Sequence, residues 1–131
     1  MDTPSLIVTW HELVNTRDPA LLDAVLAENA VFRSPAVFRP AEGKALTTAY
    51  LTAAINVLGP TLTYVREWYA EDSAVLQFRA EIDGFIVDGI DMITWGPDDR
   101  ITDFTVMVRP FRALEKLIEL MAAQLTAMKV I

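Results

Sequence analysis

The hydrophobic residues in the first half of the chain recur at intervals of three and four, the spacing of one face of an α-helix. The segments with this spacing are 6–14, 20–27 and 44–59. Asp18 is a suitable N-cap for the second segment, and Pro60 ends the third. A short strand is predicted over residues 30–35, followed by an irregular loop between two prolines. The first half is therefore predicted to be mainly helical.

In the second half the period changes to two residues, which is typical of half-buried β-strands. The predicted strands lie within 62–73, 74–82, 85–95 and 100–108. Short turns such as Asp83-Gly84 join them. A last helix follows Pro110, and its apolar stripe is wide for a helix with one side to bury. We expect this helix to pack on the sheet and either to meet a partner subunit or to cap a pocket.

Helices segregated from a mainly antiparallel sheet define the α+β class of fold. The 131 residues are enough for one domain with a real core and too few for two, so we expect a single domain over residues 1–131. No internal repeat, low-complexity tract or linker interrupts the sequence.

Composition narrows the possible functions. The chain is 53% hydrophobic and 22% charged, with a net charge of −7 and no cluster of lysine or arginine, so we expect no nucleic-acid partner. It has no cysteine and a single histidine, His11, which excludes a zinc site built from thiolates or several imidazoles within one chain. No stretch reaches the roughly 18 apolar residues of a membrane span, and the first residues lack the basic region of a signal peptide. We expect a cytoplasmic protein that needs neither metal nor cofactor.

The order of these elements resembles the nuclear transport factor 2-like superfamily, and in particular its SnoaL-like bacterial branch. The segments that carry the resemblance are WHELVNTRDPALL near the start and GIDMITWGPDDRITDFTVMVRP in the last two strands. The resemblance implies a curled, mainly antiparallel sheet that the N-terminal helices complete into a cone with an internal apolar pocket, plus a C-terminal helix. It also implies a homodimer. The superfamily includes isomerases, epoxide hydrolases, dehydratases, cyclases and non-catalytic members, so the fold alone does not give the function.

Among these relatives, the ketosteroid isomerases offer a residue-by-residue comparison. Their strand acid, which donates a hydrogen bond to the substrate oxyanion, falls on Asp91. Trp10 occupies the place of their helix-one tyrosine, and Ser34 the place of their general base. The chain thus keeps one of the three roles. The limonene epoxide hydrolases fit less well, because Val106 stands where they have an acid and the pair Arg79 and Glu81 is predicted to face away from the pocket.

Asp91 is the strongest candidate for a functional residue. Strand alternation puts it on the same face as Gly89, Ile93 and Trp95, which the resemblance assigns to the pocket. A carboxylate in an apolar pocket is costly unless it is neutral or paired with a donor, so Asp91 is predicted to have a raised pKa or a hydrogen-bond donor beside it. The alternative is a structural acid that is bonded to Trp10 Nε1 or to a backbone amide.

Two further groups of candidates complete the predicted site. His11 lies one residue beyond Trp10 on the first helix and is the candidate for proton transfer, although a single histidine there is more often a boundary residue. The predicted ligand-binding residues are Trp10, Phe32, Ser34, Tyr50, Tyr64, Phe78, Ile93, Trp95, Phe104 and Val106. A set of aromatic residues on strand faces is, however, first of all what a core requires.

The sequence therefore leaves two functions open. The chain either binds a small hydrophobic or carbonyl-bearing molecule, with possible proton-transfer chemistry of the isomerase, cyclase or hydrolase type at Asp91, or it is a non-catalytic dimer that binds a ligand or a protein. In the first case protonated Asp91 would stabilise an enolate while His11 or a bound water moves the proton.

Overall fold

The computed structural model describes residues 2–131 and confirms the predicted α+β fold. The helices are α1 (Ser5–Thr16), α2 (Leu22–Val25), α3 (Lys44–Leu58) and α4 (Phe111–Ala127). The strands are β1 (Leu26–Arg33), β2 (Ala41–Glu42), β3 (Thr63–Tyr69), β4 (Ser73–Ile82), β5 (Phe85–Trp95) and β6 (Ile101–Arg109). A 3₁₀ turn over Pro19–Leu21 precedes α2, and the Asp18 side chain accepts a hydrogen bond from the backbone of Ala20, as its predicted role as N-cap requires.

The six strands form one curved, open sheet in the order β2-β1-β6-β5-β4-β3. Strands β3 to β6 follow one another as antiparallel neighbours, and β1 pairs with β6 in parallel. Helices α1, α3 and α4 cover one face of the sheet, and the hydrophobic core lies between this inner face and the helices. The cone expected from the resemblance therefore has a helical wall and a sheet wall.

The short second helix is the element that the sequence pattern predicts least well. Helical spacing predicts a helix over residues 20–27, but α2 ends at Val25, and Leu26 already begins β1. Leu26 is fully buried and pairs with Ile101 of β6. Tertiary pairing of a buried strand overrides the local helix propensity here, because the gain in burial exceeds a difference in propensity of less than about 1 kcal/mol per residue.

Strand β5 confirms the predicted alternation of faces. Its odd-numbered positions from Val87 to Trp95 are buried on the inner face, and the positions between them are partly or fully exposed. Gly89 is required at one of these inner positions, since a Cβ atom there would lie 2.4 Å from Cζ of Phe78 on β4. The ring of Phe78 fills the space above the glycine, which leaves Asp91, two residues further on, as the next inward side chain.

Strand β3 contains a β-bulge that the sequence does not reveal. Tyr64 pairs with Phe78 and Arg66 with Gln77, so Val65 has no partner of its own on β4. As a result, Tyr64 and Glu67 both lie on the inner side of the strand, whereas strict alternation would place them on opposite sides.

The last helix, α4, confirms the expectation of a wide apolar stripe. Ala113, Leu117 and Leu125 are buried, and Leu120 and Met121 are partly buried against the core. The helix contacts α3 and the strands β4, β5 and β6, so it closes one side of the cone. Within residues 2–131, no helix is long and apolar enough to cross a membrane. The cytoplasmic location stays a prediction.

Candidate functional site

A cavity of about 200 Å³ lies between the inner face of the sheet and the helices. Its lining comes from α1, β1, the loop after β1, α3, β3, β5, β6 and α4. The walls are almost entirely apolar. Among the described residues that line it, Asp91 is the only side chain that carries a carboxylate.

Asp91 takes part in a short chain of hydrogen bonds at the cavity wall. The Tyr64 hydroxyl donates to Asp91 Oδ2 at 2.6 Å, and Trp10 Nε1 donates to the Tyr64 oxygen at 2.9 Å. Both distances are typical of well-formed hydrogen bonds, and the first is in the short range of bonds to a charged acceptor. One form of the alternative interpretation of Asp91, a direct bond from Trp10 Nε1, is therefore wrong, because Tyr64 lies between the two residues.

Burial controls the protonation of this group. Asp91 is 6% exposed, and its nearest neighbours across the ladder are Leu76 on β4 and Val106 on β6, both apolar. Burial raises the pKa of Asp91 from 3.8 to about 7, against the opposing effect of the hydrogen bond from Tyr64. The pKa of Tyr64 is also raised well above 10.0, first by burial and then by the negative charge of Asp91. Near neutral pH, Asp91 thus exists in both its acidic and its basic form.

Each of the three hydrogen-bonded residues is held by a different helix or strand. Helix α1 turns Trp10 into the cone, where its ring packs against Phe104 with the ring centroids 5.0 Å apart. The bulge at Val65 places Tyr64 on the inner face, where its ring meets that of Phe78 edge-on. Strand β5 supplies Asp91 through its alternation. The arrangement is therefore supported by packing on three sides, which favours a fixed geometry at the carboxylate.

His11, the predicted proton-transfer residue, does not line this cavity. Its Nε2 lies 2.7 Å from Glu67 Oε2, and Glu67 also accepts a hydrogen bond from Tyr69. The imidazole lies beside the Tyr64 ring in a tilted arrangement, with the ring centroids 5.8 Å apart and an angle of 46° between the ring planes. His11 thus lies beside Tyr64 and outside the cavity lining, and its catalytic role stays a prediction.

The structure divides the other predicted ligand-binding residues into two groups. Those that line the cavity are Trp10, Phe32, Ser34, Tyr50, Tyr64, Phe104 and Val106. Phe78, Ile93 and Trp95 share the inner face but are buried in the core and lie outside the cavity lining. Alternation identifies the face on which a side chain lies, but it does not show whether a helix or open space covers it.

One wall of the cavity is helical, and of its lining residues on α3 and α4 the sequence predicts Tyr50 alone. Residues of α3 and α4, among them Leu51, Ile55, Leu117 and Met121, form this wall. Their helical spacing is visible in the sequence, but the same spacing would serve a solid core equally well. Nothing in a single sequence separates helix faces that line a cavity from faces that fill one.

The described part of the chain contains no group of three or more histidine, cysteine, aspartate or glutamate side chains that could hold a metal ion. The chemistry that the arrangement itself supports is that of one buried carboxyl group with a hydroxyl donor, open to an apolar cavity.

Fold and cavity together define an α+β cone protein with one acid facing an apolar pocket. Residues 7–104 match the family model described as SnoaL-like domain. The chain belongs to this family, as its resemblance in sequence suggests.

Solved structures support the assignment. The chain is 34% identical to a steroid delta-isomerase from Pseudomonas aeruginosa, with a TM-score of 0.90 over 97% of this chain and 93% of that one. It is 26% identical to an uncharacterized protein with a cystatin-like fold from Silicibacter pomeroyi, with a TM-score of 0.86 over 93% of this chain and 86% of that one. A search of curated proteins found no match.

A more distant similarity shows the fold alone. The epoxide hydrolase/cyclase-like enzyme SalBIII, from polyether salinomycin formation, is 19% identical, with a TM-score of 0.64 over 79% of this chain and 88% of that one. The cone is therefore shared by proteins with different chemistry, and the site has to be interpreted from its own residues.

Proposed function

We infer that the protein binds a small hydrophobic, carbonyl-bearing molecule and catalyses a proton transfer next to the carbonyl group. The observation that carries this proposal is the pairing of Asp91 with Tyr64 at the wall of an otherwise apolar cavity. A mostly apolar pocket with a few convergent polar groups and a perturbed acid is the usual form of a small-molecule site.

In the proposed reaction Asp91 is the general base. Ionised Asp91 removes a proton from the carbon next to the carbonyl group, which leaves an enolate and a protonated Asp91. The same carboxyl group then returns the proton to a different carbon, so that a double bond moves and no atom is gained or lost. A pKa of about 7 suits this role, because a group that both takes and returns a proton works best when its pKa is near the working pH.

Tyr64 has a supporting role in this mechanism. Its hydroxyl donates to Asp91 while the carboxyl group is charged. When Asp91 carries the proton, this hydroxyl can turn towards the cavity and donate to the enolate oxygen, and the bond from Trp10 to its oxygen holds it in place.

The similarity to the steroid delta-isomerase, at 34% identity, supports a reaction of this general kind. The difference lies in the base. Ser34, at the position that the resemblance assigns to the general base, lies at the cavity edge, and its oxygen accepts a hydrogen bond from the backbone of Ala36. A neutral serine hydroxyl without a neighbouring base is a poor proton acceptor, which favours Asp91.

The experiment measures turnover of a panel of cyclic enones by the wild type, Asp91→Asn and Asp91→Leu. If Asp91 is the base, Asp91→Asn binds the ligand but loses turnover by about 10²-fold or more. The matched control is Asp88→Asn, a substitution of the same type on the outer face of the same strand, which we expect to retain turnover. Equal turnover by wild type and Asp91→Asn would contradict a base at this position.

The pH dependence of kcat/KM distinguishes two roles for Asp91: a general base, and a protonated acid that donates a hydrogen bond to an oxyanion. If Asp91 is the base, kcat/KM rises with pH through about 7, because the ionised form is active. If protonated Asp91 only donates to an oxyanion, kcat/KM falls through the same pH, Asp91→Asn keeps part of the turnover, and Asp91→Leu loses it. His11→Gln should retain most of the turnover in the first case; a large loss would make His11 the base.

One observation favours a second candidate function, a non-catalytic dimer. The outer face of the sheet carries large exposed apolar side chains, including Trp68 at 51%, Met107 at 54% and Ile86 at 59% exposure. We propose that a second copy of the chain covers this face, because aromatic and methionine side chains are enriched in protein interfaces. Trp68→Glu should then shift the protein from dimer to monomer in analytical ultracentrifugation. A wild type that is already monomeric at micromolar concentration would contradict the dimer.

A further inference from the structure

We propose that the substrate is a ketone with one or two rings and a single polar end, and that a four-ring steroid is too large to be enclosed. This inference rests on the proposed function and limits the compounds on which the site can act.

The size limit comes from the cavity itself. An apolar cavity of about 150 Å³ holds one benzene ring, and the pockets of drug-sized ligands span about 300–1,000 Å³. The cavity here, at about 200 Å³, lies between these values. It encloses one ring with room for part of a second, and a four-ring compound would extend into solvent.

The position of the polar group sets the orientation of the ligand. Asp91 and Tyr64 are in the buried part of the cavity, whereas the most exposed lining residues are apolar. These mouth residues are Ala36, Val37, Ile118 and Ile131. A ligand therefore enters with its carbonyl end first, and the rest of the molecule contacts apolar side chains.

The single polar end follows from the walls. Leu51, Ile55 and Leu117 are buried aliphatic residues that cannot accept or donate a hydrogen bond. A second carbonyl group that faces these three residues would lose its water without gaining a partner, and an uncompensated polar group of this kind costs at least about 1 kcal/mol. The other hydroxyl groups of the lining belong to Ser34 and Tyr50. The site thus discriminates against ligands whose second polar group faces the aliphatic wall.

The cavity can be enlarged by a substitution on α4 that leaves Asp91 and Tyr64 unchanged. Met121 of α4 lines the cavity and is only partly buried, so its truncation enlarges the space at a modest cost in stability. Leu120, the next residue on the same helix, is also partly buried against the core but lies outside the cavity lining. Met121→Ala and Leu120→Ala are therefore a matched pair, of which only the first changes the cavity.

The experiment measures the dissociation constants of four ketones by titration calorimetry at pH 7. The probes are 3-methylcyclohex-2-enone, a bicyclic octalone, the corresponding bicyclic diketone, and androst-5-en-3-one, a four-ring ketone with a single carbonyl group. We expect the wild type to bind the octalone at least about fivefold more tightly than either the steroid or the diketone, the ratio that corresponds to about 1 kcal/mol. Met121→Ala should narrow the difference between octalone and steroid, and Leu120→Ala should leave it unchanged.

The outcomes separate this inference from the proposed function. Binding of the steroid as tight as that of the octalone would overturn the size limit and leave the proposed function intact. Equal binding of octalone and diketone would overturn the single polar end. No binding by any of the four probes would overturn both the inference and the proposed function.

Discussion

Asp88 and Asp91 lie on the same strand, β5, but on opposite faces of the sheet. Asp88 is on the outer face, where Gln77 Nε2 donates to it at 2.9 Å and Arg109 Nη1 at 3.0 Å. The hydrogen bond from Gln77 has the largest effect and lowers the pKa of Asp88. Burial raises this pKa by a smaller amount, and the hydrogen bond from Arg109 and the positive charges of Arg79 and Arg109 lower it further. Asp91 has one donor, Tyr64, and burial raises its pKa to about 7.

The same residue type, aspartate, thus has opposite pKa shifts on the two faces of one strand. On the outer face a carboxylate is stabilised by donors and cations, so it stays charged and contributes to the surface. On the inner face no cationic side chain among residues 2–131 pairs with the carboxylate, so its charge is costly and its proton can be exchanged near neutral pH. Position relative to the pleat, and not residue type, decides which of the two can take part in chemistry.

The largest expected effect is on the pH dependence of stability. Because the folded protein holds the Asp91 proton more tightly than the unfolded chain, stability is lost as the pH rises from about 4 to about 7. Over this range the free energy of unfolding of the wild type should fall by up to about 4 kcal/mol relative to that of Asp91→Asn. The reason is that the pKa of Asp91 differs by about 3 units between the folded and the unfolded state. Urea unfolding at pH 4 to 8 measures this difference. Parallel curves for the two proteins would contradict the raised pKa.

The next effect tests the packing that separates the two faces. Gly89→Ala places a methyl group against the Phe78 ring and the backbone oxygen of Met107, which overpacks the inner face. We expect a loss of about 1–3 kcal/mol in free energy of unfolding. Thr94→Ala, at an exposed position of the same strand, should have a smaller effect in the same urea titration. If both variants unfold at the wild-type urea concentration, Gly89 is not required for packing.

A third prediction concerns the single donor to Asp91. Tyr64→Phe removes the hydrogen bond that lowers the pKa of Asp91, so this pKa should rise further above 7. It also leaves Trp10 Nε1 without its acceptor, which costs about 1–3 kcal/mol for a buried donor. The midpoint of the pH-dependent change in stability should move to higher pH. A midpoint that moves to lower pH would show that Tyr64 does not stabilise the charged form.

The smallest expected effect is that of Asp88→Asn. Its ion pairs involve Arg79 and Arg109. The Asp88 side chain is 16% exposed, but the arginine side chains are 60% and 77% exposed, so solvent screens the pairs and they contribute only about 0–1 kcal/mol. Because the pKa of Asp88 is lowered, its contribution is lost only at acidic pH, and Asp88→Asn should follow the wild type in parallel from pH 5 to 8. High salt should reduce the remaining difference in the urea midpoint. If Asp88→Asn changed the pH dependence of the free energy of unfolding as much as Asp91→Asn does, the two faces of the strand would not differ in this respect.

The sequence predicts the fold class, five of the six strands and the inward position of Asp91. These depend on periodicity, which is a local property of the chain. The pattern starts β1 at residue 30 instead of Leu26, and it misses β2, which falls just after the predicted irregular loop. The family resemblance adds the cone and the cavity. The end of α2 is missed because β1 gains its stability from pairing with β6, far away in the sequence.

The partner of Asp91 could not be predicted, for a different reason. Period-two alternation in β3 would put Tyr64 and Trp68 on the same face, whereas Trp68 is half exposed on the outer face. The bulge at Val65 shifts the alternation by one residue, and a bulge depends on the twist of the whole sheet. The sequence predicts Tyr64 as a ligand-binding residue, but its bond to Asp91 depends on the three-dimensional register of β3.

Because of this bulge, the site can be changed by deleting a residue from β3 as well as by substituting one. Deletion of Val65 would give β3 a regular ladder with β4, and Tyr64, Arg66 and Glu67 would each keep their present face. Deletion of a single residue elsewhere in the strand would instead turn the residues on one side of the deletion to the wrong face. Val65 is therefore a position where a one-residue deletion could move the Tyr64 hydroxyl relative to Asp91 while every residue that contacts either group is retained.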